Sequence, residues 1–314
     1  AADYCGGSRN AIRKVLRRFD VPETVAFFAE LGVELKQEET GKLFPVTDRA
    51  QTVLQALLAA LREAGGTLRF PWRVESVEST PEGFRVGGPD GEAVRARRVV
   101  LATGGRSLPK SGSDGFGYTL ARGLGHSITE AVFPSLVPLR LAPDHMLTDL
   151  KGIATETIIE LRSGTGKRLT TFRDATLCTH FGVSGPAILN ISRHLTAARA
   201  TDPEAHVVVN WLPDEDPESL DLALRELGRR SVAGWLRRHL PERLARSLCV
   251  AADLPEGQRG ADLSRDQRRA VVDHLVAYRL PVTGDRGFTY AEVTAGGVPL
   301  SEVDLKTMAS RCCP

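Results

Sequence analysis

The chain has no uninterrupted apolar run of membrane-spanning length, and no charged–apolar–small pattern opens it as a secretory signal would. Those absences exclude a membrane partner from the expectations and point to the cytoplasm. Cysteine is scarce: Cys5, Cys178, Cys249, Cys312 and Cys313 are odd in number and scattered, with no C-x-x-C among them. Such usage predicts free thiols in a reducing compartment, not a disulfide framework, with the adjacent Cys312-Cys313 read as two small, partly buried residues. Charge of one sign is not in excess either, since 41 Lys and Arg stand against 39 Asp and Glu. The short clusters Arg13-Lys14 and Arg17-Arg18 read as the solvated face of a helix, so no nucleic-acid partner is expected. No His/Cys/carboxylate spacing marks a metal site, and no G-x-S-x-G elbow appears. Most telling, no G-x-G-x-x-G follows an opening strand, as a dinucleotide pyrophosphate requires in a doubly wound sheet.

What is present is an ordinary globular composition, 42 % hydrophobic and 25 % charged over 314 residues, with room for two or three domains. Ile12, Val15, Leu16 and Phe19 fall at helical spacing. Asp20 with Glu23 forms a capping-box start, Pro22 sits in the first turn, and Gly32 closes that helix. A further helix from Asp48 carries Val53, Leu54, Leu57, Leu58 and Leu61 inward and stops at Gly65-Gly66. A parallel-type strand over residues 67–70 is expected next. Three short alternating pieces, 73–78, 84–86 and 93–97, follow with Pro-Glu-Gly and Pro-Asp-Gly reversals and predict an antiparallel meander. Val99 to Thr103 then reads as a fully buried strand ending in Ala102-Thr103-Gly104-Gly105, a turn without bulky side chains where backbone can approach a ligand.

From Ser135 the texture changes to strands, expected over 136–141, 154–162, 168–172 and 207–212. A helix after Gly185-Pro186 faces Ile188, Leu189 and Ile191 inward. Residues 218–280 read as helical throughout, and 288–293 as a returning strand that runs into Thr294-Ala295-Gly296-Gly297-Val298. Gly115-Phe116-Gly117-Tyr118 imitates a phosphate loop but reads as a helix start. Gly164-Thr165-Gly166-Lys167 is too short for a Walker loop and reads as a hairpin turn.

The motifs occur in a specific order. Leu43-Phe44-Pro45-Val46 with Asp48 comes first, then the meander, Ala102 to Gly105, and Pro109-Lys110-Ser111-Gly112. Thr179-His180-Phe181-Gly182-Val183-Ser184-Gly185-Pro186 follows, then Thr294 to Val298 and Thr307-Met308. Across essentially the whole chain this series resembles the BaiN/RdsA family of NAD(P)/FAD-dependent oxidoreductases, also called aminoacetone oxidase-like flavoproteins. The resemblance implies an α/β (α+β multidomain) fold. Its parts would be a two-dinucleotide-binding-type FAD domain with β-meander (1–130 and 300–314), an inserted β-barrel-like domain (131–213 and 284–299) and a small helical subdomain (214–283).

It also implies that the family pattern continues beyond both ends of this chain, so a truncated member is expected. On this resemblance the backbone of Val74, in the meander's first strand, would meet the adenine of FAD. Ala102, Thr103, Gly104 and Gly105 would pass the pyrophosphate and ribitol, and Pro109 to Gly112 with Thr294, Gly296 and Gly297 would line the isoalloxazine. Gly104-Gly105 and Gly296-Gly297 equally suit strand-end turns that need positive φ. His180 is the one titratable group in a dense motif: either a catalytic proton donor near the flavin or a histidine that holds its own turn. The expected activity is hydride transfer through flavin N5 on a small-molecule substrate, with NAD(P)H as a candidate electron donor. The alternative is a truncated member that binds no FAD and catalyses nothing.

Overall fold

The computed structural model describes Tyr4 and residues 7–38, 41–255 and 257–313; Ala1, Cys5 and Pro314 lie outside the described residues. Two compact units divide the chain.

The first unit comprises Ala1–Ala102, Tyr118–Thr129 and Gly297–Pro314. Helix α1 (Arg9–Leu16) begins where Ser8 Oγ accepts the Ala11 N–H, and it ends before Phe19, which is exposed. Helix α2 (Val21–Glu30) starts on the anticipated capping box, Asp20 and Glu23 each accepting the other's backbone N–H at 3.0 and 2.8 Å. Gly32 closes it at φ +74°. A hairpin that the sequence did not announce follows, β1 (Leu35–Gln37) antiparallel to β2 (Leu43–Pro45). Helix α3 (Ala50–Glu63) begins two residues after Asp48, whose carboxylate pairs with Lys36 at 2.7 Å. The meander forms as expected, β3 (Ser76–Thr80), β4 (Gly83–Gly87) and β5 (Ala93–Ala96) in that order. Helix α4 (Phe116–Gly123) starts at the phosphate-loop imitation, as anticipated.

The two parallel-type strands are not there. Residues 67–70 and 99–103 are irregular, with Phe70 89 % and Val100 85 % exposed. Leu54, Leu57 and Leu61 of α3 are exposed as well, contrary to their inward reading. A parallel strand is held only by neighbours on both edges and layers on both faces. Among the described residues every pairing is antiparallel, and these apolar side chains meet no covering layer.

The second unit comprises Thr103–Gly117 and Glu130–Gly296. Its strands are β6 (Phe133–Ser135), β7 (Leu139–Arg140), β8 (Ala154–Arg162), β9 (Arg168–Thr179) and β10 (Gly182–Ser184). Helix α5 (Pro186–Arg199) and β11 (His206–Asn210) follow, then α6 (Pro217–Glu226), α7 (Val232–Leu236), α8 (Glu242–Ala251) and α9 (Arg265–Val276). The chain returns through β12 (Tyr278–Leu280), β13 (Gly284–Asp285) and β14 (Val293–Ala295). Residues 278–280 are therefore strand, not helix. Residues 288–290 form a turn, so the returning strand is only β14.

An antiparallel sheet runs in the order β12-β11-β8-β9-β10-β7-β13, and β14 pairs separately with β6. The barrel-like expectation is corrected: the sheet is open, because its edges are strands of three and two residues with no pairing between them. The Ser163–Lys167 turn joining β8 to β9 is the anticipated hairpin. Ile188 and Ile191 of α5 are fully buried on the sheet. The same apolar core continues through Val207, Val209 and Trp211 into Leu220, Leu224, Leu236, Leu244, Leu248 and Leu275 of the helices. Each such burial contributes about 1.5–3 kcal/mol, which concentrates stability in this unit.

Gly182 stands at the close approach of β10 to β7: at φ +141° an added Cβ would lie 2.4 Å from the Leu139 carbonyl oxygen. Gly182→Ala is expected to lower unfolding free energy by about 2–4 kcal/mol in urea titration, from strain plus clash. Gly152→Ala, also at positive φ but facing open space, is expected to cost only about 1 kcal/mol.

Candidate functional site

In the second unit, residues 103–115 form a loop, running into the start of α4, that is shaped by backbone rather than by side chains. Gly104 has φ +69°, Leu108 φ +53°, Gly112 φ +97° and Gly115 φ +88°. At Gly104 a Cβ would come within 2.8 Å of Ser113 Oγ, and at Gly117 within 1.9 Å of Thr103 Oγ1. Gly104 is thus demanded by conformation as well as packing, and Gly117, which lies in α4, by packing alone. Pro109 to Ser111 make a single 3₁₀ turn, closed by the Ser111 hydroxyl donating to the Leu108 carbonyl at 2.7 Å.

This loop is fastened to β14 and to the segment that leads into it. Thr294 Oγ1 accepts the backbone N–H groups of Arg106 and Ser107 at 2.8 and 3.0 Å and lies 3.0 Å from Ser107 Oγ. With both lone pairs taken, the Thr294 proton is left to donate to Ser107. The Leu108 N–H donates to the Phe288 carbonyl at 3.0 Å, and the Arg106 guanidinium lies over the Phe288 ring at 4.5 Å. The two motifs that the sequence set almost two hundred residues apart therefore share one surface. Of the expected positions, Thr103, Gly104, Gly105, Pro109 and Gly112 lie in the fastened loop, Thr294 fastens it, and Gly296 directly follows β14.

The remaining expected positions, Val74, Ala102 and Gly297, belong to the first unit. Val74 stands two residues before β3, outside the meander strand assigned to it. Ala102 is exposed at the end of the irregular stretch. Gly297 has its N–H donated to Thr129 Oγ1 at 2.9 Å, at φ +150°.

His180 occupies the tight turn between β9 and β10. Thr179 donates its hydroxyl to the Gly182 carbonyl at 3.0 Å to close that turn. The imidazole is exposed, sits edge-on to Phe181 at 5.1 Å, and makes no hydrogen bond among the described residues. The β9–β10 turn is thus closed by the Thr179 hydroxyl, and His180 contributes to it only its ring contact with Phe181.

Next to it stands a group that sequence reasoning missed. The Arg286 guanidinium lies 4.0 Å over the Phe181 ring and 3.5 Å over Tyr290, with no ion pair among the described residues. Aromatic faces hold the cation in place while leaving its N–H donors unspent. The signal was present in Arg286-Gly287-Phe288-Thr289-Tyr290, directly before the Thr294 motif, but no spacing rule ties Arg286 to Phe181.

A family model described as "HI0933-like protein Rossmann domain" matches residues 2–314. This chain belongs to the HI0933-like Rossmann-domain family. The 3-dehydro-bile acid delta(4,6)-reductase of Clostridium scindens is 30 % identical over 99 % of this chain and 76 % of its own length. Ribosomal RNA dihydrouridine synthases of Escherichia coli and Haemophilus influenzae are 31 % and 26 % identical, covering 99 % and 98 % of this chain and 75 % of each relative. The resemblance carried by the motifs is borne out, and with it membership of a Rossmann-type flavoprotein oxidoreductase family. In this HI0933-like protein no helix among the described residues is long and apolar enough to cross a membrane. Cys178, Cys249, Cys312 and Cys313 are free, and burial pushes the Cys178 thiol up to about 11, which makes it inert at neutral pH.

Thr294→Val keeps the shape of the side chain and deletes its oxygen. It is expected to leave two N–H groups without their acceptor and to cost about 1–3 kcal/mol. Hydrogen exchange read at the Arg106 and Ser107 amides should quicken well beyond the sheet average.

Proposed function

We propose that this protein is an FAD-dependent reductase that adds hydrogen across a carbon–carbon double bond conjugated with a carbonyl group, using NAD(P)H as electron donor. The observation that carries the reading is the Thr294-fastened glycine loop beside the stacked Arg286. A flat, extended aromatic ring can lie against backbone only where Cβ atoms are absent, and Gly104, Gly112 and Gly296 are exposed at positive φ. The residues present therefore fit the cofactor: Thr103 to Gly105, Pro109 to Gly112 and Thr294 to Gly296 would hold it. Bound FAD would supply the hydride from its ring nitrogen N5.

The chain's own residues do the rest. Arg286, preoriented by Phe181 and Tyr290, donates to the substrate carbonyl oxygen and stabilises the negative charge that develops there. His180 carries an exchangeable proton at a ring nitrogen and returns it to the carbon next to the carbonyl. The names of the relatives support the bond type. A delta(4,6)-reductase of a 3-dehydro bile acid and a dihydrouridine synthase both name the removal of a double bond that is conjugated with a carbonyl. We assign a small organic enone as the substrate class.

Purified protein incubated with FAD is expected to turn yellow and to be bleached anaerobically by NADH or NADPH. Colour should return on adding a steroid 4-en-3-one, with a uridine-containing RNA as the competing acceptor. Arg286→Met keeps the apolar stack and removes the charge, and is expected to lower kcat/KM about 100-fold at unchanged flavin content. Protein that stays colourless in excess FAD would establish the non-binding, non-catalytic alternative. An Arg286→Met enzyme of undiminished rate would refute the role given to Arg286.

A further inference from the structure

The first unit holds a cluster that neither the flavin reading nor the motifs use. At the C-terminal end of α4, Gly125 turns at φ +89° and the His126 N–H reaches back to the Ala121 carbonyl at 3.0 Å. That cap sets the His126 ring against the 302–313 loop, with 8 % of its side chain exposed. His126 Nδ1 is 2.8 Å from Glu302 Oε2, and Nε2 is 2.8 Å from Ser310 Oγ. The Glu302 carboxylate also accepts the Ser127 N–H at 3.0 Å, the Ser127 hydroxyl, and the Cys312 thiol at 3.8 Å. The 302–313 loop is fixed in turn: Arg311 N–H donates to the Glu302 carbonyl at 2.9 Å, and Ser310 Oγ accepts the N–H groups of Cys312 and Cys313 at 3.1 and 2.8 Å. One imidazole nitrogen, one carboxylate oxygen and one thiol sulfur thus lie within 4.8 Å of one another.

We propose that His126, Glu302 and Cys312 form a three-ligand site for zinc or another borderline divalent cation. The donor set is mixed N, O and S, which suits zinc and disfavours magnesium or calcium. The geometry is nearly prepared. Bonds of about 2.0 Å to N and O and 2.3 Å to S in a tetrahedron separate O from N by about 3.3 Å and O from S by about 3.5 Å. The observed O···N and O···S separations are 2.8 and 3.8 Å, each within about half an ångström of those values, and the nitrogen and sulfur lie within 4.8 Å of each other.

The imidazole proton and the thiol proton now aim at the same Glu302 oxygen, and one cation replaces both. Without metal the Ser310 hydroxyl donates to Nε2, since its lone pairs already accept the Cys312 and Cys313 N–H groups; binding at Nδ1 moves the His126 proton to Nε2, and Ser310 Oγ takes it as outer partner by releasing one of those N–H groups. The Cys312 proton leaves to solvent, and water fills the fourth position. This site is independent of the flavin reading.

The test is cobalt(II) titration of the chelator-treated full chain. One equivalent is expected to give a thiolate-to-cobalt charge-transfer band with the strong visible bands of a four-coordinate site, reversed by zinc. Cys312→Ser, an exposed position, should abolish the charge-transfer band, whereas Cys313→Ser should keep it. His126→Gln and Glu302→Gln, with folding checked by circular dichroism, should weaken binding at least tenfold. Absence of the band at stoichiometric cobalt, its survival in Cys312→Ser, or its loss in Cys313→Ser would each overturn the proposal.

Discussion

The second unit's candidate surface depends on one hydroxyl. Thr294 Oγ1 gathers two successive backbone N–H groups from a loop 187 residues earlier, while its own backbone lies in β14 against β6. A hydroxyl has two lone pairs and one proton, and all three are used here. Without that acceptor the Arg106–Gly112 backbone would have to give up buried partners or find water. The left-handed glycines of the loop could then sample other conformations, with the Phe288 carbonyl and the Arg106–Phe288 stack left to hold the stretch.

Around this bond the apolar and aromatic groups divide the work. The open antiparallel sheet and α5 supply a rigid floor, because Ile159, Ile188, Ile191 and Val207 are fully buried between them. Gly182 lets β10 approach β7 closely enough for the His180 turn to project. Arg286 is then set between two aromatic rings, an arrangement that fixes a cation without neutralising it. The surface therefore offers a positioned donor beside a Cβ-free backbone, an arrangement that suits the conjugate reduction proposed above.

Legibility in the sequence followed the range of the interaction. The capping box at Asp20–Glu23, the meander turns, the helix at Phe116 and the helical stretch after Pro213 were all readable because each is decided within four residues. The α3 leucines and the apolar run at Val99 misled for the opposite reason. Periodicity shows which face is apolar but not whether anything covers it, and here Leu54, Leu57, Leu61 and Val100 are uncovered. The barrel-like expectation met an open sheet for a related reason, since whether the two edge strands meet is decided by sheet curvature and not by composition.

By itself, the order of the motifs determined the family, and the glycines determined where backbone must turn left-handed. Only tertiary structure decided which of these turns face one another and which charged groups join them. Arg286 reached Phe181 across more than a hundred residues, and His126 reached Glu302 and Cys312 across a helix cap and a loop. The sequence showed no metal-type spacing, because ligands so far apart leave no pattern. Such contacts are set by how elements pack, and a linear pattern records only what neighbouring residues do to one another.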